Sequence, residues 1–136
     1  MIARGGGRVL NISSVSAFQP TARHAVYGAT KAFVQSLSES AARELRGTGV
    51  QVSTILPGYI ATPLTSHNTY TMPFLLQPAE FANRAYRAMV AGNSYCVIPW
   101  QMGIVAKIMR LLPKALFDKI FAGKGRKKRK SEIPTP

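Results

Sequence analysis

The feature that most constrains the fold is a strand–helix–strand pattern in the first half of the chain. Residues 8–13 form a short apolar run after three glycines, and residues 50–56 form a second run rich in β-branched side chains. A helix over residues 25–46 is predicted between them, because apolar residues recur at every fourth position: Phe33, Leu37, Ala41 and Leu45. Two strands joined by a long helix are parallel, with a right-handed crossover. The pattern therefore predicts an α/β fold built on a parallel sheet.

The second half of the chain predicts one more strand and further helices. Residues 59–77 contain several prolines and lack a clear period, which indicates a loop or mobile lid. A helix is expected over residues 78–92, and a short third strand over residues 95–98. Residues 104–121 mix apolar and basic side chains, which predicts a pair of basic amphipathic helices broken near Pro113.

The charge of the chain is strongly positive and unevenly placed. Its 136 residues include 18 Lys and Arg but only 5 Asp and Glu, a net charge of +13. A dense basic cluster lies between Lys124 and Lys130, so we expect one domain over residues 1–123 and a basic, disordered tail over residues 124–136. The tail is either a flexible, solvated end or a contact for an anionic membrane surface. Nucleic acid is not an expected partner, because exposed aromatic residues do not interleave with the basic ones and no recognisable module is present.

Several classes of protein are excluded by simple features. Cys96 is the one cysteine, so an internal disulfide framework is excluded and a reducing compartment is favoured. Residues 1–7 lack the apolar core of a signal peptide, and no apolar run reaches the ~20 residues of a membrane span. No residues are assigned to a metal. We expect a cytoplasmic protein, with a position at the membrane periphery as the alternative.

A candidate catalytic pair lies at the start of the long predicted helix. Tyr27 and Lys31 are four positions apart, so a helix places them on one face. A cation beside a phenol favours the phenolate and eases proton transfer, although the same spacing also occurs on ordinary surface helices. Ser14 follows the first predicted strand, and Pro57-Gly58 ends the second. Ligands bind at the carboxyl ends of strands in open parallel sheets, which makes these residues candidates for the same site.

Taken together, these segments resemble the C-terminal half of the short-chain dehydrogenase/reductase family. The resemblance rests on the runs GRVLNISS at residues 7–14, YGATK at residues 27–31 and PGYIAT at residues 57–62. All three stand in the family's order and on the strand, helix and strand that the family requires. The resemblance implies a partial Rossmann-like, doubly wound parallel sheet, comprising its last three strands and their helices.

The resemblance also implies an NAD(P)-dependent oxidoreductase that interconverts a carbonyl and an alcohol. Tyr27 would be the general acid or base at the substrate oxygen, and Ser14 would hydrogen-bond to that oxygen. Lys31 would assist Tyr27 and bind the ribose hydroxyls of the nicotinamide half of NAD or NADP. The remaining cofactor-binding residues would line the nicotinamide and phosphate side: Pro57, Gly58, Ile60 and Thr62. Family members often form homo-oligomers, here through the helix over residues 25–46.

Substrate choice in this family is set by the loop that follows Pro57-Gly58. Its side chains offer apolar bulk and few charges, which favours an apolar carbonyl or alcohol, and a lipid-like substrate is compatible with it. The residues concerned are Thr65, His67, Tyr70, Met72 and Phe74. His67 lies in the same loop and is interpreted as a surface residue.

One departure from the family pattern limits the expectation of activity. The family holds the cofactor pyrophosphate on a glycine-rich turn that opens a helix, whereas Gly5-Gly6-Gly7 precedes a strand. The family's active-site asparagine, expected before the first strand, is absent as well. We therefore expect a fragment that lacks the N-terminal nucleotide-binding half and is inactive alone. The alternative is a non-catalytic module that contacts a membrane surface or other subunits.

Overall fold

The centre of the fold is a three-stranded parallel sheet. It is seen in a computed structural model that describes residues 1–18, 24–68, 70–113, 116 and 119. The strands lie in the order in which they occur in the chain: β1 (Gly7–Ile12), β2 (Val50–Pro57) and β3 (Tyr95–Ile98). The three predicted strands and their parallel pairing are confirmed. β2 is the central strand and the most deeply buried one.

Four α-helices accompany the sheet in the described part of the chain: α1 (Ala25–Glu44), α2 (Pro63–Ser66), α3 (Pro78–Val90) and α4 (Trp100–Leu111). The helices predicted over residues 25–46 and 78–92 are confirmed. The segment predicted as a loop or mobile lid, residues 59–77, contains one short helix, α2, and a bridge between Ile60 and Leu76. Thr62 caps α2 by accepting a hydrogen bond from the Thr65 N–H, and this local pairing has no periodic signature in so short a helix.

The predicted basic C-terminal segment is only partly described. α4 begins at Trp100, four residues before the predicted start, and its first turn follows Pro99. The second predicted helix, up to residue 121, lies largely outside the described residues. The predicted tail over residues 124–136 lies wholly outside them, so the domain boundary at residue 123 stays a prediction. No helix in the described part of the chain has the length and apolar character to cross a membrane.

The main core lies between α3 and the sheet. Ile55 has no exposed surface, and it packs with Ile98 of β3 and with Ala85 and Ala88 of α3. Leu76, at the end of the loop after β2, completes this cluster. Small alanines let α3 approach the sheet closely. The core thereby fixes the carboxyl ends of β2 and β3.

α1 covers the opposite face of the sheet, and the one residue that it buries fully is polar. Ser38 is 1% exposed, whereas Phe33 is 66% and Leu37 is 55% exposed. Asn11 of β1 donates a hydrogen bond from Nδ2 to Ser38 Oγ at 2.8 Å, and Ser38 Oγ donates to the Val34 carbonyl at 2.6 Å. The four-residue period therefore predicts the helix correctly, but only Ala41 and Leu45 of its apolar row are half-buried, whereas Phe33 and Leu37 face away from the sheet.

A turn of glycines connects α1 to β2. Gly49 has a φ of 78°, and its carbonyl accepts a hydrogen bond from the Gly7 N–H at 3.2 Å. A Cβ at Gly49 would collide with the Gly5 carbonyl oxygen, whereas a Cβ at Gly47 would meet nothing within 4 Å. Gly49 thus lets the backbone just before β2 pack closely against the backbone just before β1. The pairing of the two strands begins at the next residues, Gly7 and Val50.

Candidate active site

The carboxyl end of β1 presents two buried serines. Ser13 is 1% and Ser14 is 6% exposed. Ser14 caps the short 3-10 turn Val15–Ala17, because its Oγ accepts a hydrogen bond from the Ser16 N–H at 3.1 Å. In that contact the Ser14 oxygen is the acceptor, which is compatible with donating its own proton to a substrate oxygen. The turn thereby fixes the orientation of Ser14.

Tyr27 and Lys31 lie in the first two turns of α1, next to the end of β1. Lys31 Nζ is 5.8 Å from the centroid of the Tyr27 ring, within the range of a cation–π contact. The same Nζ donates a hydrogen bond to the Ile12 carbonyl at 3.0 Å. His24 places its ring edge-on to Tyr27, with the ring centroids 6.3 Å apart. The ammonium group is therefore held beside the phenol, as the spacing predicts.

A second hydrogen bond between β1 and α1 runs in the opposite direction. Ser13 Oγ donates to the backbone carbonyl of Lys31 at 2.7 Å, while the Lys31 side chain donates to the Ile12 carbonyl. Together the two bonds fix the main chain and the side chain of Lys31 to the end of β1. Sequence reasoning did not single out Ser13, because its partner is a main-chain atom 18 positions away.

We expect Ser13→Ala to lower the free energy of unfolding by about 1–2 kcal/mol, since it removes the hydrogen bond that the buried Ser13 hydroxyl donates to the Lys31 carbonyl. Chemical denaturation monitored by circular dichroism measures the change. Ser36→Ala is the matched control, because Ser36 lies on the exposed side of α1, the helix that contains Lys31. Loss of its hydroxyl should change the free energy of unfolding by less than about 0.5 kcal/mol. Equal stability of the two variants would contradict a fixing role for Ser13.

Ser14 and Tyr27 line the same cleft, which has a volume of about 500 Å³. The cleft is also lined by the four residues that the sequence predicts for the cofactor: Pro57, Gly58, Ile60 and Thr62. Lys31 is not among the lining residues, and its ammonium group approaches the site through Tyr27. Six of the seven predicted site residues thus share one cavity, at the carboxyl ends of β1 and β2.

The loop after β2 forms the rest of the cleft. Its base is anchored, because the Ala61 N–H donates to the Leu76 carbonyl at 2.9 Å and the Leu76 N–H donates to the Tyr59 carbonyl at 3.0 Å. Tyr59 contacts the Tyr70 ring edge-on at 6.1 Å between centroids. Burial, and to a lesser extent the neighbouring Tyr70, raises the pKa of Tyr59, so its hydroxyl stays protonated at neutral pH.

Sequence reasoning located part of this lining and missed part of it. Thr65 and Tyr70, expected to shape the substrate side, both line the cleft, and His67 is exposed, as expected of a surface residue. His24, Tyr59 and Asn68 line the cleft without having been singled out. Tyr59 lies within the PGYIAT run itself, so its position beside Gly58 was the available signal.

Comparison with known proteins agrees with this geometry. A sequence model of the family described as short chain dehydrogenase matches residues 1–72. The chain belongs to this family. An uncharacterized oxidoreductase of Myxococcus xanthus is 36% identical over 118 residues, which are 87% of this chain and 47% of that protein. The short-chain dehydrogenase chain described here therefore spans about half the length of the curated relative that it matches.

Solved structures of short-chain dehydrogenases share the fold. A 7beta-hydroxysteroid dehydrogenase superposes with a TM-score of 0.75 at 24% identity, covering 89% of this chain and 49% of that one. A 7 alpha-hydroxysteroid dehydrogenase in complex with NADH and 7-oxo glycochenodeoxycholic acid has a TM-score of 0.57 at 26% identity, covering 71% of this chain and 44% of that one. The sheet is accordingly part of a Rossmann-like fold of an oxidoreductase family.

Proposed function

We propose that the chain carries the substrate and nicotinamide side of an NAD(P)-dependent oxidoreductase that interconverts a carbonyl and an alcohol. The observation that carries the proposal is the shared cleft, which brings the hydroxyl groups of Ser14 and Tyr27 together with the turn that follows β2. A tyrosine and a serine at one opening can both reach a single substrate oxygen. Family membership supports the reaction class.

Each polar group of the site has a distinct task in this proposal. In reduction, the Tyr27 hydroxyl gives its proton to the substrate oxygen, and in oxidation Tyr27 takes the proton back. The Ser14 hydroxyl donates a hydrogen bond to the same oxygen and so fixes its position. The Lys31 ammonium, held by the Ile12 carbonyl 3.0 Å away, stabilises negative charge that develops on the Tyr27 oxygen.

The residues present suit the nicotinamide half of NAD or NADP. The cleft lies at the carboxyl ends of parallel strands, where such folds bind nucleotides. Pro57, Gly58, Ile60 and Thr62 would hold the nicotinamide side, and Lys31 would donate to ribose hydroxyls. The cofactor, when bound, exchanges a hydride with the substrate carbon. The NADH complex of the 26% identical hydroxysteroid dehydrogenase supports this cofactor class.

An apolar substrate is the second element of the proposal. Aromatic and aliphatic side chains face the same cleft as the two hydroxyls, among them Tyr59, Leu64 and Tyr70. Thr65 and Asn68 add a few polar groups, a balance typical of sites that bind apolar molecules in a fixed orientation. The hydroxysteroid dehydrogenase of the comparison holds 7-oxo glycochenodeoxycholic acid, which supports a carbonyl compound with a bulky frame.

A direct assay follows the oxidation of NADPH or NADH by absorbance in the presence of hydrophobic ketones. The longest natural form of the protein that carries these residues is the appropriate sample, because the chain spans about half of its relative. Turnover that needs both the reduced cofactor and the ketone is the expected result. A correctly folded sample that oxidises neither cofactor with any ketone would overturn the proposal. Inactivity of the 136-residue chain alone, and its cytoplasmic location, stay predictions.

The exposed apolar row of α1 favours the predicted homo-oligomer. Val26, Phe33 and Leu37 are 79%, 66% and 55% exposed, and large exposed apolar patches mark protein interfaces. We expect Phe33→Ser combined with Leu37→Ser to shift a dimer or larger assembly to monomers in analytical ultracentrifugation. Tyr86→Ser with Val90→Ser, an equally exposed pair on α3, is the matched control and should leave assembly unchanged. A wild-type protein that sediments as a monomer at every concentration would refute this interface.

A further inference from the structure

α4 packs against the sheet with small residues and presents large apolar ones outward. Gly103 is buried, and a Cβ at this position would lie 3.2 Å from the Val97 side chain of β3. Ala106, one turn later, is 7% exposed. Five large apolar side chains are exposed instead: Trp100 at 64%, Ile104 at 49%, Val105 at 41%, Ile108 at 57% and Leu111 at 84%. A helix that covers a hydrophobic core usually buries its large apolar side chains, whereas α4 buries small residues and exposes large apolar ones.

Four of these residues, all except Val105, form a continuous row, named here the outer row of α4: Trp100, Ile104, Ile108 and Leu111. They are spaced by four, four and three positions, so they fall within about 80° of arc on a helix of about 3.6 residues per turn. α4 has 12 residues, which corresponds to a length of about 18 Å. Lys107 is exposed and lies at the margin of the row. An apolar row with cations at its edge and tryptophan at one end is typical of helices that lie in a membrane interface.

We propose that the outer row of α4 binds the surface of a lipid bilayer that contains anionic phospholipid. Charge selects this occupant over a second copy of the chain. Six of the 18 Lys and Arg residues that give the chain its net charge of +13 lie between Lys124 and Lys130, shortly after α4 in the sequence. Two copies meeting through α4 would bring surfaces of the same sign together, whereas an anionic bilayer complements the charge and covers the apolar row.

The helix α4, which carries the outer row, contacts a residue that lines the candidate active-site cleft. Met102 lies against Gly58, because a Cβ on Gly58 would be 2.9 Å from Met102 Cγ, and Gly58 lines the cleft. The helix proposed to rest on lipid therefore contacts one lining residue of the cleft that holds Ser14 and Tyr27, although its own residues do not line that cleft. Binding to the bilayer itself does not depend on the oxidoreductase proposal, since no cofactor or substrate takes part in it.

Trp100 allows a direct test, because it is the one tryptophan of the 136-residue sequence and belongs to the outer row. The chain is mixed with vesicles of phosphatidylcholine, with or without phosphatidylglycerol, and Trp100 emission and acrylamide quenching are recorded. We expect a blue shift and protection from acrylamide with the anionic vesicles only. Co-sedimentation with the same vesicles measures the partition coefficient.

Two double variants decide whether the row or the charge alone is responsible. Ile104→Ser with Ile108→Ser is expected to lower partitioning by about tenfold or more and to abolish the blue shift, since it removes the inserting side chains. Tyr86→Ser with Val90→Ser, equally exposed on α3, is the control and should partition like the wild type. Circular dichroism verifies that both variants are folded.

Three outcomes would overturn the proposal. One is a Trp100 spectrum that anionic vesicles leave unchanged. Another is vesicle binding by the Ile104→Ser/Ile108→Ser variant as strong as that of the wild type, which would assign binding to the basic residues after α4. The third is protection of Trp100 that rises with protein concentration in the absence of lipid, which would assign the row to a second copy of the chain.

Discussion

Replacing Tyr27 with phenylalanine is expected to lower turnover in the cofactor-oxidation assay by about 10²- to 10⁴-fold, the range of general acid–base catalysis. The substitution removes one oxygen and leaves the ring. Lys31 Nζ, 5.8 Å from the ring centroid, keeps its contact with the aromatic face and its hydrogen bond to the Ile12 carbonyl. Stability and cofactor affinity should therefore stay close to those of the wild type, and the loss should fall on the proton transfer.

Tyr86→Phe provides the matched control for this experiment. Tyr86 is 62% exposed on α3, away from the cleft, so loss of its hydroxyl should leave turnover unchanged. Cofactor affinity is measured in parallel by the fluorescence of the reduced nicotinamide. A Tyr27→Phe enzyme with wild-type turnover would remove Tyr27 from its proposed role, even if cofactor binding were intact.

Gly49→Ala is expected to be the most damaging single methyl addition in the chain, lowering the free energy of unfolding by roughly 2–5 kcal/mol. Two causes add up. Gly49 has a φ of +78°, which costs an L-residue energy, and the new Cβ would meet the Gly5 carbonyl. Its other neighbours, Gly5 C at 3.1 Å and Gly6 Cα at 3.3 Å, are also backbone atoms that cannot rotate away.

Gly47→Ala separates the two causes. Gly47 has a similar φ of +83°, but a Cβ there meets nothing within 4 Å. Its substitution should therefore cost only the backbone term, about 1–2 kcal/mol. Urea denaturation measures the loss of unfolding free energy in both variants. The difference between the two losses is the cost of moving apart the backbone segments that precede β1 and β2. Equal losses would show that this close approach relaxes freely.

Local sequence patterns predicted most of the secondary structure, because periodicity and turn residues act over short distances. The orientation of α1 could not be predicted in this way. Its buried side includes Ser38, which accepts a hydrogen bond from Asn11, 27 positions away, and apolar periodicity carries no information about such a polar pair. The same limit applies to Ser13, whose partner is the main chain of Lys31.

The residues of the candidate site could be predicted from the sequence more completely than the packing of α1 on the sheet. Ser14, Tyr27 and the Pro57-Gly58 turn each end or begin an element, and parallel strands bring the carboxyl ends of β1 and β2 to one edge of the sheet. Topology alone therefore places these residues together. The lining by His24 and Asn68 depends on how the flanking loops fold back, which no short-range pattern specifies.

The parallel register has a consequence for how the chain reaches its native state. Gly7 pairs with Val50 and Thr54 pairs with Tyr95, so every strand contact joins residues about 40 positions apart. Closing such loops costs entropy before any hydrogen bond of the sheet forms, and a high contact order slows folding. The helices between the strands can form in microseconds from local contacts. We therefore expect the meeting of distant strands to limit the folding rate, and the edges of the strands to stay open to other molecules until they pair.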